Sequence, residues 1–232
     1  MPPFMFMSLD PLYVFLVLPA VLFAMLAQMR VSGSFKKYSK QQTSKGVTGY
    51  EAAREILRSA GVYDVQIERV KGKLTDHFDP RSNVIRLSDS VHDAATVAAV
   101  GVAAHEAGHA IQYAVGYTPI KLRSAILPVT SIGSKLAMPL VIIGFMFDMM
   151  GLINLAILMF GTVVVFQLIT LPVELNASRR AIDALRDTKL LAVDEIPASR
   201  RVLTAAALTY VGALAVSLMQ LLRLVLLANR RR

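Results

Sequence analysis

Two histidines four residues apart, the first followed by a glutamate, stand at His105-Glu106-Ala107-Gly108-His109 in a chain with only four histidines. On a helix, residues i and i+4 share a face, so His105 and His109 can aim ring nitrogens at one cation, with Glu106 about 100° round the axis beside them. This is the H-E-x-x-H pattern of zinc-dependent hydrolysis. Neutral imidazoles leave a tetrahedral zinc ion room for a third protein ligand and a water, whose pKa falls from about 15.7 towards about 7. Glu106 is then the expected general base, taking the water's proton as it attacks a peptide carbonyl and passing it to the leaving nitrogen. The bland alternative is a pair of hydrogen-bonded core histidines. The run Ala94 to Ala104 argues against it, being apolar and rich in small residues. Two imidazoles and a carboxylate buried in such surroundings without a cation incur desolvation that nothing offsets.

Composition says where this helix must work. The 232 residues are 55% hydrophobic, with a mean hydropathy of +0.53, too apolar for an ordinary soluble domain. Pro11 to Ala27 carries no charge and, with Gln28 and Met29, is long enough to cross roughly 30 Å of hydrocarbon. No basic residue precedes Arg30, so the run reads as an uncleaved anchor rather than a signal peptide. Ala125 to Phe147, Gly151 to Leu171 and Leu203 to Leu227 are further candidate spans. Ser131, Ser134, Lys135, Pro128 and Pro139 interrupt the first of these, and Gln220 and Arg223 the last.

Lys and Arg near the spans set orientation. Arg30, Lys36, Lys37, Lys40 and Lys45 crowd one end of the first span and place Arg30 to Arg123, with His105, in the cytoplasm; two more crossings return Arg179, Arg180, Arg186 and Lys189 to that side. The triplet Arg230-Arg231-Arg232 leaves the last helix open: either it does not cross, or the rule is broken there. The net charge of +9 is explained by these flanks and by anionic lipid, so nucleic acid is not an expected partner. The absence of cysteine excludes disulfides and thiolate metal sites and suits a reducing compartment.

Within the polar part, Tyr50 to Ser59 reads as an amphipathic helix ending at Gly61. Val65 to Val70 and Asn83 to Leu87 alternate like strands, joined through turn chemistry at Asp79-Pro80-Arg81-Ser82. The motif helix is expected from about Ala94 to Val115, capped by Ser88 or Ser90 and stopped at Gly116. Asn83 to Leu87 is then either an exposed edge beside the metal, able to add a substrate peptide as a further strand, or an ordinary core strand.

No histidine follows His109, so a downstream third ligand must be a carboxylate: Asp148, Glu174, Asp183, Asp187, Asp194 or Glu195. Asp148 falls on the wrong side of the predicted topology. Glu174 is best placed, because Pro172 can open a helix where the third span returns to the face carrying His105; the alternative makes it only a helix-start carboxylate. Asp183 is the runner-up ligand and, better, an acceptor orienting a histidine ring. Arg179 or Arg180 is a candidate for holding a carboxylate or a developing oxyanion, against a plain topology signal. His77 suits a substrate-side or structural role, His92 a surface position, and Tyr210 an interface anchor or an oxyanion donor.

Four blocks carry a resemblance: Gly49 to Ala53, Lys73 to Arg81, Val97 to Gln112 and Leu171 to Ala181 closely resemble the YugP-like neutral zinc metallopeptidases of bacterial membranes. More distantly, the layout is similar to the prenyl-protein (CAAX) endoproteases and the heat-shock membrane protease HtpX, gluzincin-type enzymes that pair H-E-x-x-H with a later E-x-x-x-D helix. The resemblance implies His105, His109 and Glu174 as ligands of one Zn2+ and Glu106 as the base. Ser178 stands where that pattern has aspartate, which leaves the ring partner to Asp183 or Asn176.

The expected molecule is mainly α with a small β-sheet, a multi-pass membrane protein with a zincin-like catalytic domain. Its parts are an anchor (1–29), a cytoplasmic catalytic part (30–124), a transmembrane hairpin (125–171), a cytoplasmic helix with the third ligand (172–202) and a membrane or membrane-associated helix (203–232). The expected activity is a zinc endopeptidase of the bacterial cytoplasmic membrane, with its site facing the cytoplasm and acting on membrane-associated or misfolded proteins. The alternative is a zinc-binding scaffold or regulator without catalysis. An intramembrane-cleaving protease is disfavoured by the polar stretch Lys71 to Asp93 just before the motif.

Overall fold

The fold is built from a capped helix, a turn-locked sheet and four long apolar helices, and the computed structural model describes residues 10–230. Residues 1–9 of the expected anchor, with Arg231 and Arg232, lie outside the described residues. In chain order the elements are α1 (Leu18–Tyr38, entered through a π-helical turn at Tyr13–Val17), α2 (Gly49–Ser59), β1 (Gln66–Val70), β2 (His77–Asp79), β3 (Val84–Ser88), α3 (Val97–Ala114), α4 (Thr118–Met146), α5 (Met150–Asp187) and α6 (Ile196–Asn229).

Local chemistry explains the boundaries in the polar part. At α2 a capping box is complete: the Glu51 amide donates to Thr48 Oγ1 (3.2 Å) and the Thr48 amide to Glu51 Oε2 (2.9 Å). Thr96, rather than Ser88 or Ser90, caps α3, accepting from the Ala99 amide at 3.3 Å. The two serines are engaged elsewhere: Ser88 donates its amide and hydroxyl to Asp76 (2.7 and 3.0 Å), and Ser90 bonds the Ser88 hydroxyl. Residues 89–93 are therefore turn, and α3 starts three residues later than the sequence pattern suggests.

The sheet order is β1-β3-β2, with β1 parallel and β2 antiparallel to β3. Thus β3 is the central strand, almost wholly buried, so of the two readings of Asn83 to Leu87 the core strand holds and the exposed edge does not. The edge beside α3 is β2, a three-residue strand that alternation did not reveal. Asp79 brings it there: its carboxylate accepts from the Arg81 amide (3.0 Å) and the Ser82 hydroxyl (2.8 Å), and Asn83 at φ 55° completes the reversal onto β3.

The described chain divides into two compact units. One comprises Gln28–Lys121 and Val173–Ala207. Its core joins Ala53, Ile56 and Leu57 of α2, Ile85 and Leu87 of β3, Val97, Val100 and Ala104 of α3, and Ala181 and Leu185 of α5. The other comprises the part through Ala27, Leu122–Pro172 and the part from Leu208. Here helices meet at small residues: a Cβ on Gly133 would stand 2.8 Å from the Met159 carbonyl oxygen, and one on Gly212 2.9 Å from Ala24 Cα. Buried Arg223 of α6 donates to Asp10 from Nε at 2.9 Å, and Tyr13 faces the guanidinium at 5.3 Å. Phe15, Leu26, Ile132 and Leu158 are exposed, as lipid-facing side chains are.

Among the described residues four helices, Tyr13–Tyr38, Thr118–Met146, Met150–Asp187 and Ile196–Asn229, are long and apolar enough to cross a membrane. The molecule is mainly α with a small sheet and of multi-pass type, as expected. The helix start expected at Pro172 fails too: Pro172 opens no new helix but lies inside the continuous α5, just as Pro128 and Pro139 lie inside α4. Prolines are tolerated within such helices because neighbouring groups satisfy the carbonyls they release.

Candidate metal centre

The geometry begins with a missing side chain. A Cβ on Gly108 would lie 2.7 Å from the Ala177 carbonyl oxygen, so α3 and α5 approach backbone to backbone at the motif. Glu174, one turn before Ala177, is thereby carried to the face of α3 that holds both histidines.

His105 Nε2 lies 3.2 Å and His109 Nε2 3.3 Å from the same oxygen, Glu174 Oε2. The rings stand nearly perpendicular, at 83°, with centroids 4.7 Å apart. The donor atoms of the three residues all lie within 4.8 Å of one another. Zinc bonds of about 2.0–2.1 Å in a tetrahedron imply ligand–ligand edges of roughly 3.3 Å. The two nitrogen–oxygen separations therefore fit such an ion, and the donor set, two imidazoles and one carboxylate, is one that zinc accepts with a position left open. His105 is 14% and Glu174 2% exposed, so the imidazole is the more accessible of the two.

The outer ring nitrogens are also partnered. His105 Nδ1 lies 3.2 Å from Ser178 Oγ, and His109 Nδ1 lies 3.0 Å from Gln112 Oε1. Gln112 Nε2 donates to the Val173 carbonyl (2.8 Å) and to Asn176 Oδ1 (2.9 Å), and Arg180 Nε donates to the same Asn176 oxygen at 2.8 Å.

Glu106 is nearly buried beside this group rather than within it. Burial pushes its carboxyl up to about 7; the neighbouring His105 opposes the rise, the charges of Glu174 and Asp76 add to it, and the Phe78 backbone N–H, donating from β2, lowers it. Burial likewise raises the Asp76 carboxyl, against the lowering effect of its bonds from Ser88.

Other candidates fall elsewhere. Asp183, nine residues beyond Glu174, is half a turn out of phase on α5 and lines a surface pocket with Arg179 and Arg200. Neither Asp183 nor Arg179 belongs to the histidine–glutamate group, and the ring partners are Ser178 and Gln112 instead. Glu195 caps locally, accepting from the Ser44 and Ala192 amides at 2.7 Å each. His77 is exposed on β2 with Nδ1 2.8 Å from the Thr75 carbonyl oxygen. His92 pairs with Asp93 at 2.6 Å and packs on Tyr50. Tyr210 and Asp148 belong to the apolar helical unit. Gln112 was missed although its spacing, three residues after His109, places it on the same helix face.

Comparison with known proteins agrees in kind. Residues 13–229 match the family described as "Putative neutral zinc metallopeptidase". The "Putative membrane protease YugP" of Bacillus subtilis (strain 168) is 44% identical over 216 residues, which cover 93% of this chain and 96% of that relative. No solved structure gives a significant match.

Proposed function

The chain belongs to this family of neutral zinc metallopeptidases, and on that premise we propose that it is a membrane-bound endopeptidase in which His105, His109 and Glu174 hold one zinc ion and Glu106 is the general base. The observation that carries this reading is the convergence of two imidazole Nε2 atoms on one carboxylate oxygen at 3.2 and 3.3 Å. When bound, Zn2+ supplies Lewis acidity that acidifies water and polarises a carbonyl. Glu174 would give the ligand set its single negative charge, beside two neutral imidazoles. The Glu106 carboxylate takes the proton of the attacking water and returns it to the amide nitrogen that leaves.

The sheet supports one way for a substrate to bind. An extended peptide added along the outer edge of β2 runs past Glu106, because Phe78 on that strand already directs its N–H to the Glu106 carboxylate. Backbone pairing accepts many sequences, which suits unfolded or membrane-associated polypeptides as substrates. The bacterial cytoplasmic membrane, with the site on the cytoplasmic face, is supported by Arg30, Lys36, Lys37, Lys40, Lys45, Arg179, Arg180, Arg186 and Lys189, all in the unit that carries the site.

The test is Glu106→Gln in the purified full chain. The variant should keep one zinc per chain by elemental analysis while cleavage of an unfolded substrate protein falls about 10²–10⁴-fold. Equal residual cleavage by wild type and variant, with zinc bound to both, would make the protein a scaffold.

A further inference from the structure

We propose that Gln112, backed by Asn176 and Arg180, is a positioning residue that holds His109 in the one tautomer able to bind metal through Nε2. The inference rests on the reading of His109 as a zinc ligand and goes beyond it to what fixes that ligand.

The argument follows the protons. A guanidinium only donates, so the Asn176 atom 2.8 Å from Arg180 Nε must be its carbonyl oxygen. A backbone carbonyl only accepts, so the Gln112 atom 2.8 Å from the Val173 oxygen must be its amide nitrogen, which also reaches Asn176 Oδ1 at 2.9 Å. Two independent partners thus orient the Gln112 amide the same way. Its remaining atom, Oε1, accepts only, so the proton shared with His109 at 3.0 Å resides on Nδ1. In the neutral ring, the form that binds a metal, His109 Nε2 then carries a lone pair 3.3 Å from Glu174 Oε2. A lone pair facing a carboxylate is an unfavourable contact that a cation between them makes favourable.

Gln112 is fully buried, with its carbonyl and amide both engaged, which distinguishes it from a side chain that only fills space. It also ties the two helices that carry the ligands, joining His109 of α3 to the backbone next to Glu174 on α5. His105 is held less strictly, since the Ser178 hydroxyl, 3.2 Å from its Nδ1, can donate or accept.

The experiment measures zinc affinity of the full chain in detergent, by competition with a chromophoric chelator, alongside ¹⁵N-histidine spectra of the zinc-loaded protein. With four histidines in the chain, His109 is assignable by substitution. Wild type should show His109 protonated on Nδ1. Gln112→Met, close in length but unable to form these bonds, should bind zinc about 10–100-fold more weakly. Asn176→Leu, one side chain further from the ring, should show a smaller loss with the histidine group intact and guards against failure of the first variant to fold. A proton on Nε2 of His109, or wild-type affinity in both variants with only a lowered melting temperature, would overturn the proposal. Glu174→Ala separates the two claims. If that variant loses zinc while Gln112→Met retains it fully, the positioning role falls alone; if wild type itself holds no zinc, both fall.

Discussion

The two compact units treat buried polar groups in opposite ways. In the apolar helical unit, the buried charges Asp10 and Arg223 are spent on each other, and the close helix contacts are made by Gly133 and Gly212. In the other unit, Glu106, His109, Gln112 and Glu174 are buried together, with two imidazole nitrogens and a carboxylate converging on one point. Mutual neutralisation closes a structure, whereas convergence of two imidazoles and a carboxylate on one point suits a cation. The site is thus distinguished by how its polar groups are arranged rather than by the number of polar groups buried.

Three substitutions bear on this contrast. Arg223→Ala strands a buried carboxylate and should cost about 3–5 kcal/mol in stability, measured by denaturation in detergent, while zinc affinity of the folded protein stays at the wild-type value. A fall in affinity of the same size would show that the two units do not act independently. Gly108→Ala inserts a methyl group 2.7 Å from the Ala177 carbonyl oxygen, and a cost of about 1–3 kcal/mol is expected. Because it separates the helices that carry His105, His109 and Glu174, zinc competition should weaken with it; unchanged affinity would mean the close approach is not what sets the site. The smallest effect concerns Asp79. Bonds from Ser82 and from the Arg81 amide, helped by Arg86, hold its carboxyl down at about 2. A depressed folded-state pKa stabilises the fold above the unfolded value, and that contribution is lost as pH falls from about 4 through about 2. Asp79→Asn should flatten this part of the stability–pH curve by less than about 1 kcal/mol, as befits a partly exposed group. A profile that does not change would remove Asp79 as the lock on β2.

Much of this architecture was legible in the residues. The histidine spacing marked the motif helix, apolar runs marked the long helices, and Gly61 marked the end of α2. What was hidden depended on partners remote in sequence. A three-residue strand such as β2 has too few positions to show alternation and exists through its pairing with β3. Pro172 reads locally as a boundary, yet α5 passes through it. Acidity favours Asp183 as a ring partner, although its phase on the helix argues against it. Ser178, four residues after Glu174, is in phase but is not the aspartate of the resembling pattern; a hydroxyl fills that place at 3.2 Å.

The ion pair between Asp10 and Arg223 bridges 213 residues of chain. During synthesis, the segment containing Asp10 leaves the ribosome long before its counter-charge exists, so a solitary acid must wait near the membrane while everything between is made. Arrival of Arg223 ends that wait, and assembly of the helical unit is completed only after translation has reached α6.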